Sequence, residues 1–198
     1  VEKLESAYHE IMPDRLETGA LIMSFVLTGG EGVVKNIIPE HNIALIHMLK
    51  SSGVDITVDD DKFIINKSEP MENFHVETMP YPGLATDLQP IITPFALVCP
   101  EGSIITDNIF KERFSHVNEL RKMGANIERN GNTIKVLSRE NLVGSEVHGG
   151  DIRSVVSLIG AGLAASGETK VSGVDHLMRG HCNYVEKLRK LNADIELV

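Results

Sequence analysis

Residues 150–168 read GDIRSVVSLIGAGLAASGE, and this stretch decides the fold. An acidic residue opens it, and Val155, Val156, Leu158, Ile159, Ala161, Leu163 and Ala164 then leave almost no polar face. A helix apolar all round belongs inside a domain. Gly160, Gly162 and the alanines let neighbouring helices approach closely, at some cost in helix propensity. The same pattern occurs at residues 17–30 (ETGALIMSFVLTGG) and 86–102 (TDLQPIITPFALVCPEG). Each is followed by a second helix-like segment and a GADI-like ending, SSGVDI at 51–56, KMGANI at 122–127 and KLNADI at 190–195. Gly53, Gly124 and Asn192 mark the same point, 71 and 68 residues apart. Solenoid repeats usually measure about 20–50 residues. The longer period predicts one compact domain over residues 1–198, with pseudo-threefold symmetry and equivalent helix ends meeting.

Working outward, the second helices are amphipathic. Phe114, Val117, Leu120 and Met123 recur at helical spacing between Glu119, Arg121 and Lys122. Strands are predicted after the inner helices at 32–37, 103–106 and 169–172. Others follow the outer helices at 55–58 with 63–66, 126–129 with 133–137, and 194–198. Asp59-Asp60-Asp61 and Asn130-Gly131-Asn132 are turn residues suited to hairpins. The fold class is therefore α/β: three helix-strand-helix-hairpin units with apolar helices inside and sheets outside. Pro90 suits the first turn of a helix that starts near Asp87, whereas Pro94 removes an internal hydrogen bond and kinks it.

Apolar content of 42% and charged content of 24% are ordinary globular values. A net charge of −9 argues against a nucleic-acid surface, which needs clustered Lys and Arg. No apolar run approaches the ~20 residues that span a bilayer, so a soluble chain without membrane insertion is expected. Cys99 and Cys182 follow no metal-ligand spacing and cannot build a disulfide scaffold. A cytoplasmic setting is the simplest. The chain opens at Val1 in a segment, VEKLESAYHEI, that already looks structured, as expected for a piece of something longer.

Asp87 in ATDLQ and Asp151 in GGDIR stand at the same place, just before an apolar helix. A carboxylate there can simply cap the helix. If three inner helices run alike, however, their heads converge and form a site for phosphate or carboxylate groups. An Asp at such a place can orient or deprotonate a bound hydroxyl. Arg153, Arg179 and Arg113 are the basic candidates for that end, with surface exposure or structural pairing as the alternative. Asp14-Arg15-Leu16-Glu17 reads as a local structural charge cluster. The eight histidines give no zinc pattern, and Cys99 in FALVC reads as a buried thiol. No cofactor-binding fingerprint is present and no metal site is expected.

Five blocks, MPDRLETGALI, MPYPGLATDLQP, TDNIFKERFSHVNELRKMGANI, GGDIRSVVSLIGAGLAASGET and HLMRGHCNYVEKLRKLNADI, carry a resemblance over almost the whole chain. The chain resembles the enolpyruvyl transferase family, in particular its UDP-N-acetylglucosamine 1-carboxyvinyltransferase branch. The resemblance implies an inside-out α/β barrel of three similar units and a second, facing domain that lies outside this sequence. It implies phosphoenolpyruvate and UDP-N-acetylglucosamine as substrates, in the formation of peptidoglycan precursors. It assigns Asp87 to the sugar hydroxyl as proton acceptor and Ile109 to a backbone contact with UDP-N-acetylglucosamine. Asp151 and Arg153 become the acidic and basic pair at the reacting centre. Arg179, with Arg113 as a further candidate, falls on the phosphoenolpyruvate side. The general acid, a Cys on a mobile loop, belongs to the facing domain and matches neither Cys here, so the isolated domain is expected to be inactive. Two departures stand out: RGHCN replaces an RGYE-like stretch, and Asn192 replaces a Gly. A 5-enolpyruvylshikimate-3-phosphate synthase domain and a non-catalytic half-barrel are the alternatives.

Overall fold

The computed structural model describes residues 5–139 and 141–198. Helix α1 (Arg15–Thr28) is followed by β1 (Gly32–Lys35), a 3-10 turn (Pro39–Asn42), α2 (Ile43–Ser51) and the strands β2 (Ile56–Asp59) and β3 (Lys62–Ile65). Next come β4 (His75–Thr78), a 3-10 turn (Thr86–Leu88), α3 (Gln89–Val98), β5 (Ile104–Asp107), α4 (Ser115–Lys122), β6 (Ile127–Asn130) and β7 (Thr133–Val136). The remainder is β8 (Glu146–His148), α5 (Ile152–Ala164), β9 (Lys170–Ser172), a 3-10 turn (Val174–Arg179) and α6 (Tyr184–Lys190).

The three apolar segments form α1, α3 and α5, and each packs against the other two. Every residue of α3 from Gln89 to Leu97 is buried, as is α5 from Ser154 to Ala161. Fully burying one Leu, Ile or Phe stabilises by ~1.5–3 kcal/mol, so this trio dominates the core. Helix α3 runs through Pro94 without interruption, with Pro90 in its first turn. Gly160 does bring helices together: a Cβ there would stand 3.0 Å from Leu27 Cδ1 on α1. Gly162 does not, because it faces Thr169 in the segment after its own helix. On α4 the amphipathic reading holds, with Phe114, Val117, Leu120 and Met123 all buried.

The repeat is visible in the strand order. Sheets β1-β3-β2 and β5-β7-β6 share one antiparallel arrangement, with the second strand of each hairpin in the middle. The hairpin turns bend at Asp60 and Gly131, both at positive φ. Gly53, Gly124 and Asn192 also share a positive φ, at 90°, 93° and 67°. All three follow the outer helices, where a left-handed residue ends the helix and turns the chain. Asn is one of the few residues besides Gly that adopt this conformation readily.

Three expectations are corrected. Residues 194–198 pair with no described strand, because nothing described stands where β3 and β7 stand in the other units. Residues 5–14 form neither helix nor strand, and Tyr8 and Ile11 are exposed rather than packed; residues 1–4 lie outside the described residues. Finally, β4 and β8 are additional strands, paired in parallel with β5 and β9.

Candidate active site

The heads of the inner helices meet at one end. Gly19, in the second turn of α1, lies against Leu88 beside the head of α3, while Arg153 in the first turn of α5 reaches Asp87. The close approach of Leu27 and Gly160 joins the far ends of α1 and α5. The helices therefore run alike, and their orphan N–H groups and positive dipole ends share one region.

Asp14 and Asp151 fulfil the capping role. Asp14 Oδ1 accepts from the Leu16 N–H at 2.7 Å. Asp151 Oδ1 accepts from the N–H groups of Arg153 and Ser154, and the Ser154 hydroxyl accepts from the Asp151 N–H, which completes a capping box. Asp87 makes no cap bond. It lies inside the 3-10 turn that precedes α3, and its carboxylate turns toward two arginines instead. Arg113 Nη1 and Arg153 Nη1 both donate to Asp87 Oδ1, each at 2.8 Å. Arg153 Nε donates to Asp151 Oδ1 at 2.9 Å. The outcome is one ladder, Arg113–Asp87–Arg153–Asp151, drawn from three elements.

The electrostatics follow from this ladder. Burial pushes the Asp151 carboxyl up, but the Arg153 guanidinium and two backbone N–H groups outweigh it and hold the group below its ordinary value. For Arg153, burial works against the charge, while hydrogen bonds to Asp151 and Asp87 raise its pKa overall. Arg113 is lowered, first by burial and then by the neighbouring Arg153 charge. Its guanidinium also lies 3.8 Å from the centre of the Phe110 ring, within cation–π range. Two like charges are thus held side by side around a single carboxylate oxygen. Such an arrangement suits a site that receives further anionic groups.

Behind the ladder sits Asp107, fully buried at the end of β5. Its Oδ1 accepts from the Thr78 hydroxyl (2.8 Å) and from the N–H groups of Ile109 and Phe110 (both 2.9 Å). Its Oδ2 accepts from the Thr86 hydroxyl at 2.7 Å. Burial raises this carboxyl, yet the four hydrogen bonds together keep it below the usual range. Asp107 is absent from the sequence-based candidates. The signal for it is the Asp-Asn pair directly after an expected strand, since Asp binds the backbone of a following turn.

The remaining candidates divide. Ile109 is partly exposed beside the ladder, with its N–H committed to Asp107, so a backbone contact with a ligand falls to its carbonyl. Arg179 is exposed and joins none of the described ion pairs. Its turn is nevertheless close by, because a Cβ on the next residue, Gly180, would stand 2.5 Å from Ile152 Cδ1. Glu17 of the first charge cluster pairs with Lys187. Cys99 is buried, and burial pushes its thiol up to about 12, as an inert core cysteine requires. Among the described residues no group of three or more His, Cys, Asp or Glu is arranged to hold a metal ion. A cavity of about 550 Å³, lined by none of the ladder residues, opens against Asp14, Glu17, Leu21, Phe25, Lys35 and Lys187. Its Glu17–Lys187 pair is closed on itself, whereas the ladder gathers two guanidinium groups and two carboxylates, and that convergence of charge makes the ladder the candidate site.

Comparison with known proteins places the fold. The family model described as EPSP synthase (3-phosphoshikimate 1-carboxyvinyltransferase) matches residues 1–188. UDP-N-acetylglucosamine 1-carboxyvinyltransferase 2 of Staphylococcus epidermidis is 43% identical over 98% of this chain and 46% of its own length. UDP-N-acetylglucosamine 1-carboxyvinyltransferase of Fervidobacterium nodosum is 41% identical over 100% of this chain and 47% of its own. The chain thus spans about half the length of these relatives. Two solved structures share the fold: the enolpyruvyl transferase NikO from Streptomyces tendae, and EPSP synthase from Acinetobacter baumannii. NikO superposes with a TM-score of 0.84 at 23% identity, over 94% of this chain and 44% of that one. The EPSP synthase gives 0.81 at 20% identity, over 95% and 47%. With the family match running through nearly the whole sequence and the fold agreeing, this chain belongs to the EPSP synthase family, the enolpyruvyl transferases.

Proposed function

We propose that the chain is one domain of an enzyme that transfers enolpyruvyl from phosphoenolpyruvate to the 3-hydroxyl of UDP-N-acetylglucosamine and releases phosphate. The observation that carries this reading is Asp87: two guanidinium groups hold Oδ1, and among the described residues none donates to Oδ2. A carboxylate fixed in this way can take the proton of a sugar hydroxyl as its oxygen bonds to C2 of phosphoenolpyruvate. C3 receives a proton in the same addition, from an acid on the facing domain of the same polypeptide. Elimination then removes a proton from C3 and breaks the C2–O bond to phosphate. Arg153 and Arg113 offset the negative charge of the reacting phosphate and carboxylate groups, and Asp151 holds Arg153 in line. Arg179 reaches the phosphoenolpyruvate side, and the Ile109 carbonyl meets the nucleotide sugar.

The same proposal covers the architecture: one domain over residues 1–198, with three units arranged as an inside-out α/β barrel. Its support is the mutual packing of α1, α3 and α5 and the exposed outer faces of β2 and β6. A cytoplasmic setting suits two phosphorylated substrates and a role in peptidoglycan synthesis. No helix among the described residues is long and apolar enough to cross a membrane. By this reading the isolated domain is inactive, because the acid lies on the facing domain.

The test is phosphate release by the full-length polypeptide, wild type beside Asp87→Ala, with phosphoenolpyruvate and UDP-N-acetylglucosamine. Turnover that collapses in the variant supports both the reaction and the base; full turnover by the variant removes Asp87 from the chemistry. The description of the matched family favours a second acceptor, 3-phosphoshikimate, and turnover with that compound alone would exchange the substrate assignment. Release with neither acceptor would point to a non-catalytic half-barrel.

A further inference from the structure

We propose that Asp107 is a positioning residue of this transferase, a role that rests on the functional reading above. Its buried carboxylate ties the turn bearing Ile109 and Arg113 to Thr86, the residue next to Asp87, and so sets the nucleotide-sugar contact and the base at a fixed separation.

The argument starts from the number and origin of the donors. The two N–H groups of Ile109 and Phe110 are what a local turn after a strand needs, and an Asp there would be unremarkable for that reason alone. The other two bonds are not local. The Thr78 hydroxyl comes from the end of β4, and the Thr86 hydroxyl from the turn that leads into α3. Thr86 Oγ1 also accepts from Arg113 Nη1 at 3.2 Å, so the hydroxyl gives its proton to Asp107 and leaves its lone pair to Arg113. Arg113 is thereby gripped twice, by Thr86 and by Asp87. Thr78 repeats the device, donating to Asp107 and accepting from the Asn108 N–H at 3.1 Å. The far side of Asp107 is fixed by backbone: its N–H donates to the Asn132 carbonyl (2.8 Å), and its carbonyl accepts from the Asn132 amide at 3.1 Å.

All four donors to the carboxylate are neutral, and the side chain is 0% exposed. Taking a carboxylate out of water costs several kcal/mol unless its lone pairs are filled. A purely structural turn needs only an acceptor for its two N–H groups, which a neutral Asn supplies without burying a charge. What the carboxylate adds is direction: it obliges both threonine hydroxyls to donate inward, which frees their lone pairs for Asn108 and Arg113. An Asn in its place presents one amide N–H₂, which competes with a threonine proton and reverses one of the two relays.

The experiment uses the full-length polypeptide carrying Asp107→Asn, Thr86→Val or both, with steady-state phosphate release and a thermal melt on each. Asp107→Asn is expected to lower kcat/KM for UDP-N-acetylglucosamine by about 10²-fold, the scale set by a misplacement of ~1 Å. Thr86→Val removes both hydrogen bonds of that hydroxyl, to Asp107 and from Arg113, and should cost at least about tenfold. It keeps the inference testable if Asp107→Asn folds poorly. The double variant should lose less than the sum of the two single losses, since both substitutions break the Thr86–Asp107 bond. A merely structural Asp107 would lower the melting temperature and leave kcat/KM per folded molecule within about twofold of wild type, and that result overturns the positioning role. Additive losses in the double variant overturn it too. A wild-type polypeptide without turnover instead overturns the functional reading on which the role depends.

Discussion

Asp87 and Arg153 lie 66 residues apart in the chain and 2.8 Å apart in the fold. The same guanidinium holds Asp151 through Nε, so one side chain links the head of α3 to the N-cap of α5. Two carboxylates in equivalent positions of the repeat thereby take different tasks. Asp151 accepts from the helix end and from Arg153, whereas Asp87 makes no cap bond and accepts from two guanidinium groups.

Arg153→Lys in the full-length polypeptide should lower kcat by about 10²-fold, comparable with the loss of one positioned donor in other transferring enzymes. A guanidinium meets two carboxylates in a fixed fork, while an ammonium on a flexible stem is a point charge. Phosphate release at the wild-type rate would show that the fork is not needed.

Replacing Asp151 with Ala removes the capping box and should destabilise the protein by ~1 kcal/mol at neutral pH. The folded pKa of Asp151 lies below its unfolded value, so its contribution is present above about pH 4 and is lost as pH falls through the folded pKa. Denaturant unfolding of wild type and variant should therefore converge in acid. A gap that is unchanged down to about pH 2 would contradict the ionised cap.

Gly124 offers a clean test of the repeat. Its φ is +93°, and a Cβ there would meet nothing within 4 Å, so Gly124→Ala reports backbone strain without a clash. A cost of ~1–2 kcal/mol is expected from the left-handed conformation. Asn192→Gly, at the equivalent point, should change stability by only a few tenths of a kcal/mol, because Asn already tolerates this region. Shifts in the denaturant midpoint measure both.

His116 is buried against Thr93 at 3.0 Å, and burial lowers its pKa to about 3. The unfolded chain binds a proton below ~6.5 that the folded state refuses, so stability is complete above that pH and falls as pH drops toward 3. One such group gives a slope of up to ~1.4 kcal/mol per pH unit. His181, also held neutral by burial, adds to it. His116→Gln should flatten most of the slope in urea unfolding between about pH 6 and 4; an unaltered slope would assign it elsewhere.

What could be read directly were features with long periods or distinctive residues. The three apolar segments, both hairpins with their Asp60 and Gly131 turns, and the left-handed positions at Gly53, Gly124 and Asn192 all carry their conformation locally. The parallel strands β4 and β8 do not. Their three or four residues bury a single side chain each, Thr78 and Val147, which is too little for a period to show. The alternating residues 194–198 failed in the opposite sense, since a strand exists only where a partner supplies hydrogen bonds.

By itself, then, the sequence determined which segments are helical and buried, because side-chain hydrophobicity and its period act on the chain one turn at a time. It also named the charged residues at the helix heads. Only the tertiary structure decided what those charges do. Asp87 and Asp151 are the same residue type in the same register, and packing alone brings Arg113 and Arg153 onto one of them while backbone N–H groups claim the other. The cross-linking role of Asp107 belongs to that second kind of information, although its local turn bonds do not. Its four donors come from three segments, and a buried carboxylate acquires its role from whichever donors the fold delivers to it.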